Sequence, residues 1–139
     1  MGIEVRYADP SNPDNFKKLC DEKTRLFYAE TLPNPSLRVF PIGEVSDIGK
    51  SLGIPLIVDN TACPIICKPI EHGAAIVMHS LTKYIGGHGT SIGGIIVDSG
   101  NFDWSKNKSR HPNIWEPDKS YHGAVWGDAV PQLTGANIP

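Results

Sequence analysis

An α/β domain built on a mostly parallel sheet is what this sequence predicts, and three apolar runs carry the prediction. "IPLIVDN" (54–60), "AAIVMHS" (74–80) and "SIGGIIVDSG" (91–100) are continuous rather than alternating. That is the pattern of strands buried on both faces, as in a parallel sheet. The runs are separated by stretches with helical spacing or turn chemistry, so strand and helix alternate along the chain.

Taken in order, "IEVRY" (3–7) suits a short strand, and "DPSNPDN" after it reads as loop. Asp14 or Asn15 is a candidate cap for a helix over "FKKLCDEK", 16–23. "RLFYAE" (25–30) reads as a strand that ends at the turn "TLPNPSLR". Apolar positions at 42, 45, 48 and 52 predict a helix over 41–52 despite two internal glycines, with Gly53 ending it. Past residue 100 the periodicity decays. The polar, aromatic and Pro-containing run to Gly127 is predicted to be a long surface segment.

The totals exclude several classes. With 139 residues, the chain is one domain's worth of sequence, long enough for a real core. Thirteen basic against fifteen acidic residues, net −2, leave no field for nucleic acid or an anionic membrane. No apolar run approaches the length of a membrane span. The N-terminal stretch has no apolar region of the secretory kind, and Arg6 stands where a myristoylation signal has Ser or Thr. Cys20, Cys63 and Cys67 form no disulfide framework, so reduced thiols in a cytoplasmic protein are expected. Cys63 and Cys67 with His72 are too few for a metal site, and none is expected.

Ligands of an open parallel sheet bind at the carboxyl ends of its strands. Three polar groups fall at predicted strand ends: Glu30 with Asn34, Asp59-Asn60-Thr61, and Ser80 with Thr82 and Lys83. Taken singly, each has an ordinary reading: a helix cap for Asp59, a surface amine for Lys83, a plain loop for "GGHG". A Walker A loop places its glycines before the lysine, whereas here they follow it. "GGHGTS" also misses the G-x-G-x-x-G spacing. One ligand answers to all three groups. Pyridoxal 5'-phosphate needs an amine for its aldehyde, an acid for its ring nitrogen, and hydroxyls and backbone N–H groups for its phosphate.

The segments "AETLPNPSLRV", "IPLIVDNTACP", "PIEHGAAIVMHSLTKYIGGHGTSIGGIIVDSGNFDW" and "EPDKSYHG" resemble the pyridoxal-phosphate-dependent enzymes of Cys/Met metabolism. The resemblance runs from about Val5 to about Trp126. It implies part of the large domain of the aspartate aminotransferase-like, fold type I transferases. It further implies that Lys83 holds the cofactor as a Schiff base and shuttles protons, that Asp59 pairs with the pyridine nitrogen, that Ser80 and Thr82 bind the phosphate, and that Asn34 lies near the phenolic oxygen. Within the family, "GGHGTSIGGIIVDSGNFDW" points to enzymes that join O-acetylhomoserine to sulfide or a thiol, giving homocysteine or methionine and acetate. Such enzymes imply an amino-acid substrate and a homo-oligomer. Ala75 and Leu81 depart from residues common in the family.

By the same resemblance, residues 1–139 form a partial cofactor domain. The family's upstream ring-stacking aromatic and phosphate turn, its Tyr and Arg from a neighbouring subunit, and its small domain with a carboxylate-binding arginine all lie outside the chain. Three alternatives stay open: a catalytically silent remnant that at most binds cofactor or a complementary chain, a cystathionine-type lyase or synthase, and an aldolase-type lysine enzyme, which would have no use for Asp59.

Overall fold

The computed structural model describes residues 2–134, and for 132–134 the backbone alone. Four strands form one sheet in the order β1-β2-β3-β4: β1 Phe27–Glu30, β2 Leu56–Asp59, β3 Ile76–Ser80 and β4 Gly94–Asp98. The pairs β1–β2 and β2–β3 are parallel, and β4 runs antiparallel to β3. The sheet is thus mostly parallel, as the apolar runs predict, with one reversed strand.

Helix α1 (Asp14–Lys18) and helix α2 (Ile42–Leu52) pack on one face of this sheet. In α2 the buried residues are Ile42, Val45, Ser46 and Gly49, the face that helical spacing selects. Gly53 ends the helix with φ 67°, a left-handed cap that glycine adopts without steric cost. Against α2 pack Phe27, Ala29, Leu56, Val58 and Val77, alternate residues of β1, β2 and β3. Phe16 of α1 meets Phe27 and Phe40 edge-on, at 5.4 and 5.7 Å between centroids. Each fully buried aliphatic chain here, such as Val45, Ile54 and Val58, contributes about 1.5–3 kcal/mol relative to exposure.

Four sequence expectations need correction. Residues 3–7 pair with no strand; Ile3, Val5 and Tyr7 face solvent, and Arg6 ties the segment to Glu4, to Asp21 and to the Leu19 carbonyl instead. An alternating pattern signals a strand only where a sheet edge is there to receive it. The helix expected over 16–23 is only Asp14–Lys18, preceded by Pro13. It ends before Asp21, whose carboxylate takes the Lys23 amide and the Thr24 hydroxyl in a local turn that competes with helix.

The third correction concerns residues past 100, which are not simply a surface segment. Phe102, Trp104 and His111 are buried. Phe102 and Trp104 form a second cluster with Ala75 at the amino end of β3. Helices α3 (Pro112–Trp115) and α4 (Trp126–Thr134) follow. Nor is the sheet buried throughout: Ile95, Ile96 and Val97 of β4 are 48, 74 and 39% exposed, although their apolar run reads as doubly buried.

Candidate functional site

Parallel pairing brings the carboxyl ends of β1, β2 and β3 to one edge. Glu30 is the register partner of Asp59, and Asp59 that of Met78. β3 continues two residues further to Ser80, opposite Gly94 where β4 begins. Asp59, Met78 and Ser80 share the face turned away from α2, as strand alternation requires.

Asp59 is half-buried. Its Oδ1 accepts the backbone N–H of Thr61 at 2.9 Å. Among the described residues its Oδ2 meets only the Tyr28 hydroxyl, at 3.4 Å. No lysine or arginine pairs with it among the described residues. The Tyr28 phenol is raised above its ordinary value, chiefly by partial burial and then by the charge of Asp59.

The loop after β2 is pinned from inside. Asn60 is 1% exposed. Its amide donates to the carbonyls of Cys63 (3.1 Å) and Cys67 (2.8 Å), and its Oδ1 accepts the Thr31 hydroxyl at 2.8 Å. This fixes where Thr61 stands. The Thr61 hydroxyl in turn accepts the Ser80 N–H at 2.8 Å, so the ends of β2 and β3 are tied through one side chain.

After Ser80 the chain makes a wide π-type turn over Leu81–Ile85, closed by the Gly86 N–H on the Leu81 carbonyl at 2.8 Å. A Cβ at Gly86 would lie 2.5 Å from that same oxygen, so the turn requires glycine there. Lys83 sits in the middle of the turn, exposed, with φ −92° and ψ −118° inside an otherwise helical segment. No carboxylate pairs with its amine among the described residues. The Thr82 Oγ1 accepts the Gly93 N–H at 3.4 Å, leaving its own proton to donate elsewhere.

Asp59, Ser80, Thr82 and Lys83 therefore all lie at or just beyond the carboxyl edge, in segments joined by hydrogen bonds. Asn34 lies four residues past the end of β1, exposed, before a cis peptide bond to Pro35. Its side chain makes no hydrogen bond to the other described residues. In the sequence Tyr28 reads as an ordinary β-strand aromatic, and Thr61 stands out only as part of the strand-end group with Asp59 and Asn60. A hydroxyl two residues after a strand-ending carboxylate was the available signal for Thr61. All four arginines are engaged elsewhere: Arg6 with Glu4 and Asp21, Arg25 with the Ser109 carbonyl, Arg38 with Asp9, and Arg110 with the carbonyls of Asp21 and Thr24. Among the described residues, no group of three or more His, Cys, Asp or Glu could hold a metal ion.

The donor set suits a cofactor that carries an aldehyde, a basic ring nitrogen and a phosphate. Asp59 is held on one oxygen and weakly met on the other, so its Oδ2 keeps room to accept an N–H. Ser80, Thr82 and Lys83 follow in the segment that the Thr61–Ser80 hydrogen bond ties to the end of β2. An amine and a carboxylate at the carboxyl edge of an α/β sheet fit a cofactor that carries a carbonyl and a basic ring. The chain belongs to the Cys/Met metabolism PLP-dependent enzymes, whose family model matches residues 1–128.

It is 54% identical to the O-acetyl-L-homoserine sulfhydrylase of Leptospira meyeri, over 99% of this chain and 32% of that protein. With the homocysteine/cysteine synthase of Saccharomyces cerevisiae, identity is 46% over 96% of this chain and 30% of the relative. A Campylobacter jejuni crystal structure described as an O-acetylhomoserine (thiol)-lyase with N'-pyridoxyl-lysine-5'-monophosphate superposes with a TM-score of 0.84. It is 36% identical over 90% of this chain and 31% of its own. The fold is accordingly part of the large domain of the fold type I, aspartate aminotransferase-like transferases, and the family's cofactor is pyridoxal phosphate. The chain spans about a third of the length of the relatives it matches.

Proposed function

We propose that this chain carries the cofactor-holding part of an enzyme that replaces the acetoxy group of O-acetylhomoserine with sulfide or a thiol, within sulfur amino acid and methionine metabolism. The observation that supports it best is the hydrogen-bonded run Asp59–Thr61–Ser80, which leads directly into the turn bearing Lys83. The names of the relatives supply the substrate class.

In this reading Lys83 Nζ would hold the cofactor aldehyde and would carry protons to and from the substrate carbons. Asp59 would accept the ring N–H and favour its protonated form. The hydroxyls of Ser80 and Thr82 would donate to the phosphate, and Asn34 would lie near the ring oxygen. When bound, pyridoxal phosphate supplies the electron sink that makes loss of a substrate proton possible.

A substrate carboxylate calls for a bidentate arginine, and none of the four arginines contacts Asp59, Ser80, Thr82 or Lys83 among the described residues. We therefore read residues 1–139 as a partial cofactor domain. The carboxylate-binding group and the other elements of the family's site come from further sequence or from other subunits of a homo-oligomer. Its three free thiols suit a cytoplasmic setting. No helix among the described residues is long and apolar enough to cross a membrane.

The test is a chimera in which residues 1–128 replace the matching third of the Leptospira meyeri relative. Homocysteine formation from O-acetylhomoserine and sulfide is expected from the chimera, negligible turnover from the 139-residue chain alone, and none from the Lys83→Ala chimera. The alternative is a catalytically silent remnant. A folded chimera without turnover would support it.

A further inference from the structure

We propose that Tyr28 is a positioning residue for Asp59: its hydroxyl, reaching across from β1, fixes the carboxylate in the orientation that Thr61 begins to set. The inference rests on the functional reading above, in which Asp59 meets a ring N–H.

The torsion that rotates an aspartate carboxylate is broad, so one hydrogen bond leaves it free to pivot. Asp59 has two contacts on opposite oxygens. The Thr61 N–H holds Oδ1 at 2.9 Å, and the Tyr28 hydroxyl meets Oδ2 at 3.4 Å. Tyr28 stands two residues before Glu30, the register partner of Asp59, so it is a diagonal neighbour within reach of an aromatic side chain. Its hydroxyl is also 3.8 Å from the Met78 sulfur, and Met78 is the partner of Asp59 on the other side. The phenol therefore lies across three strands, over the carboxylate, on the face away from α2. At 3.4 Å the contact is long for an O–H···O bond, so its effect on binding is modest. Glu30 is the other carboxylate that bears on the phenol.

Three measurements test this. In the cofactor-free chain labelled with 13C-tyrosine, the Tyr28 resonance is identified by its loss in Tyr28→Phe. Its titration midpoint falls in Asp59→Asn, because a charge that disfavours the phenolate has gone. An unchanged midpoint would show that the two groups do not face each other and would overturn the proposal. In Tyr28→Phe, which keeps the ring, hydrogen exchange at the Thr61 amide quickens by roughly threefold while the thermal midpoint stays put. Equal exchange would also overturn it. With pyridoxal phosphate, Tyr28→Phe binds roughly threefold more weakly, and borohydride still fixes the cofactor on Lys83. Equal affinity counts against the positioning role. Turnover by the chimera decides the functional reading separately, and the first two measurements decide the role of Tyr28 whether or not the isolated chain binds pyridoxal phosphate.

Discussion

The hydroxyl of Thr61 accepts the backbone N–H of Ser80 at 2.8 Å, joining the ends of two neighbouring parallel strands through a side chain. Thr61 also gives its own N–H to Asp59, so one residue sets the distance between the strand end that carries the acid and the one that leads to the amine. Thr61→Val keeps the shape and removes the acceptor. It is expected to lower stability by about 1–2 kcal/mol, because the Ser80 amide is left part-buried without a partner. Thr61→Ser is expected to restore most of that. Denaturant midpoints at constant slope measure both.

Asn60 is the larger liability. Its side chain holds the Thr31 hydroxyl and the carbonyls of Cys63 and Cys67. Asn60→Ala takes the donor from the part-buried Cys67 carbonyl and leaves the Thr31 hydroxyl only a long 3.5 Å contact with the Asp59 carbonyl, while the Cys63 carbonyl keeps the Cys67 N–H, and a loss of about 1–3 kcal/mol is expected. Asn60→Asp is expected to be little better, since a carboxylate cannot donate to the two carbonyls. Urea unfolding of the three proteins side by side checks the order.

His111 predicts how stability depends on pH. The ring is buried against Trp104, and its Nε2–H lies 3.3 Å from the Gly53 carbonyl. Burial, first, and the charges of Arg25 and Arg110 push its pKa below the ordinary histidine value of 6.5, with the Gly53 carbonyl opposing. The unfolded chain then takes up the proton before the native one does. This contribution is complete above about pH 6.5 and is lost as pH falls below it, down to the native pKa. His111→Gln is expected to flatten the fall between pH 7 and 5. Thermal midpoints across that range measure it, and an equal slope in the variant would reject the assignment.

The exposed apolar strand β4 predicts self-association. Ile95, Ile96 and Val97 sit on an edge with β3 on one side and no described strand on the other. Such an edge is a template for pairing. Light scattering is expected to show species larger than a monomer, together with binding of a hydrophobic dye. Ile96→Lys should reduce both. A monodisperse monomer without dye binding would contradict this.

Much of the architecture is legible in the residues because local rules decide it. Helix α2 follows from its apolar spacing and its terminal Gly53, and β2 and β3 from apolar runs that end on Asp59 and Ser80. What pairing partners decide is not legible. Residues 3–7 alternate like a strand, yet no sheet edge receives them. The reversal of β4 depends on the turn at 81–93 and leaves no mark in its composition. Trp104 and His111 read as polar surroundings because their burial comes from Gly53 and Ala75, distant in sequence. The site splits the same way. Asp59, Ser80, Thr82 and Lys83 stand out by position at strand ends, whereas Tyr28 becomes visible only when β1 lies beside β2.

The account stands or falls on Lys83 as the amine that takes the cofactor. The chain should be incubated with pyridoxal phosphate, reduced with borohydride, digested, and read by mass spectrometry. One dominant pyridoxyl-modified site, Lys83, is expected, and its loss without any change of fold in Lys83→Ala. Modification spread over the surface lysines, or undiminished in Lys83→Ala, would contradict it.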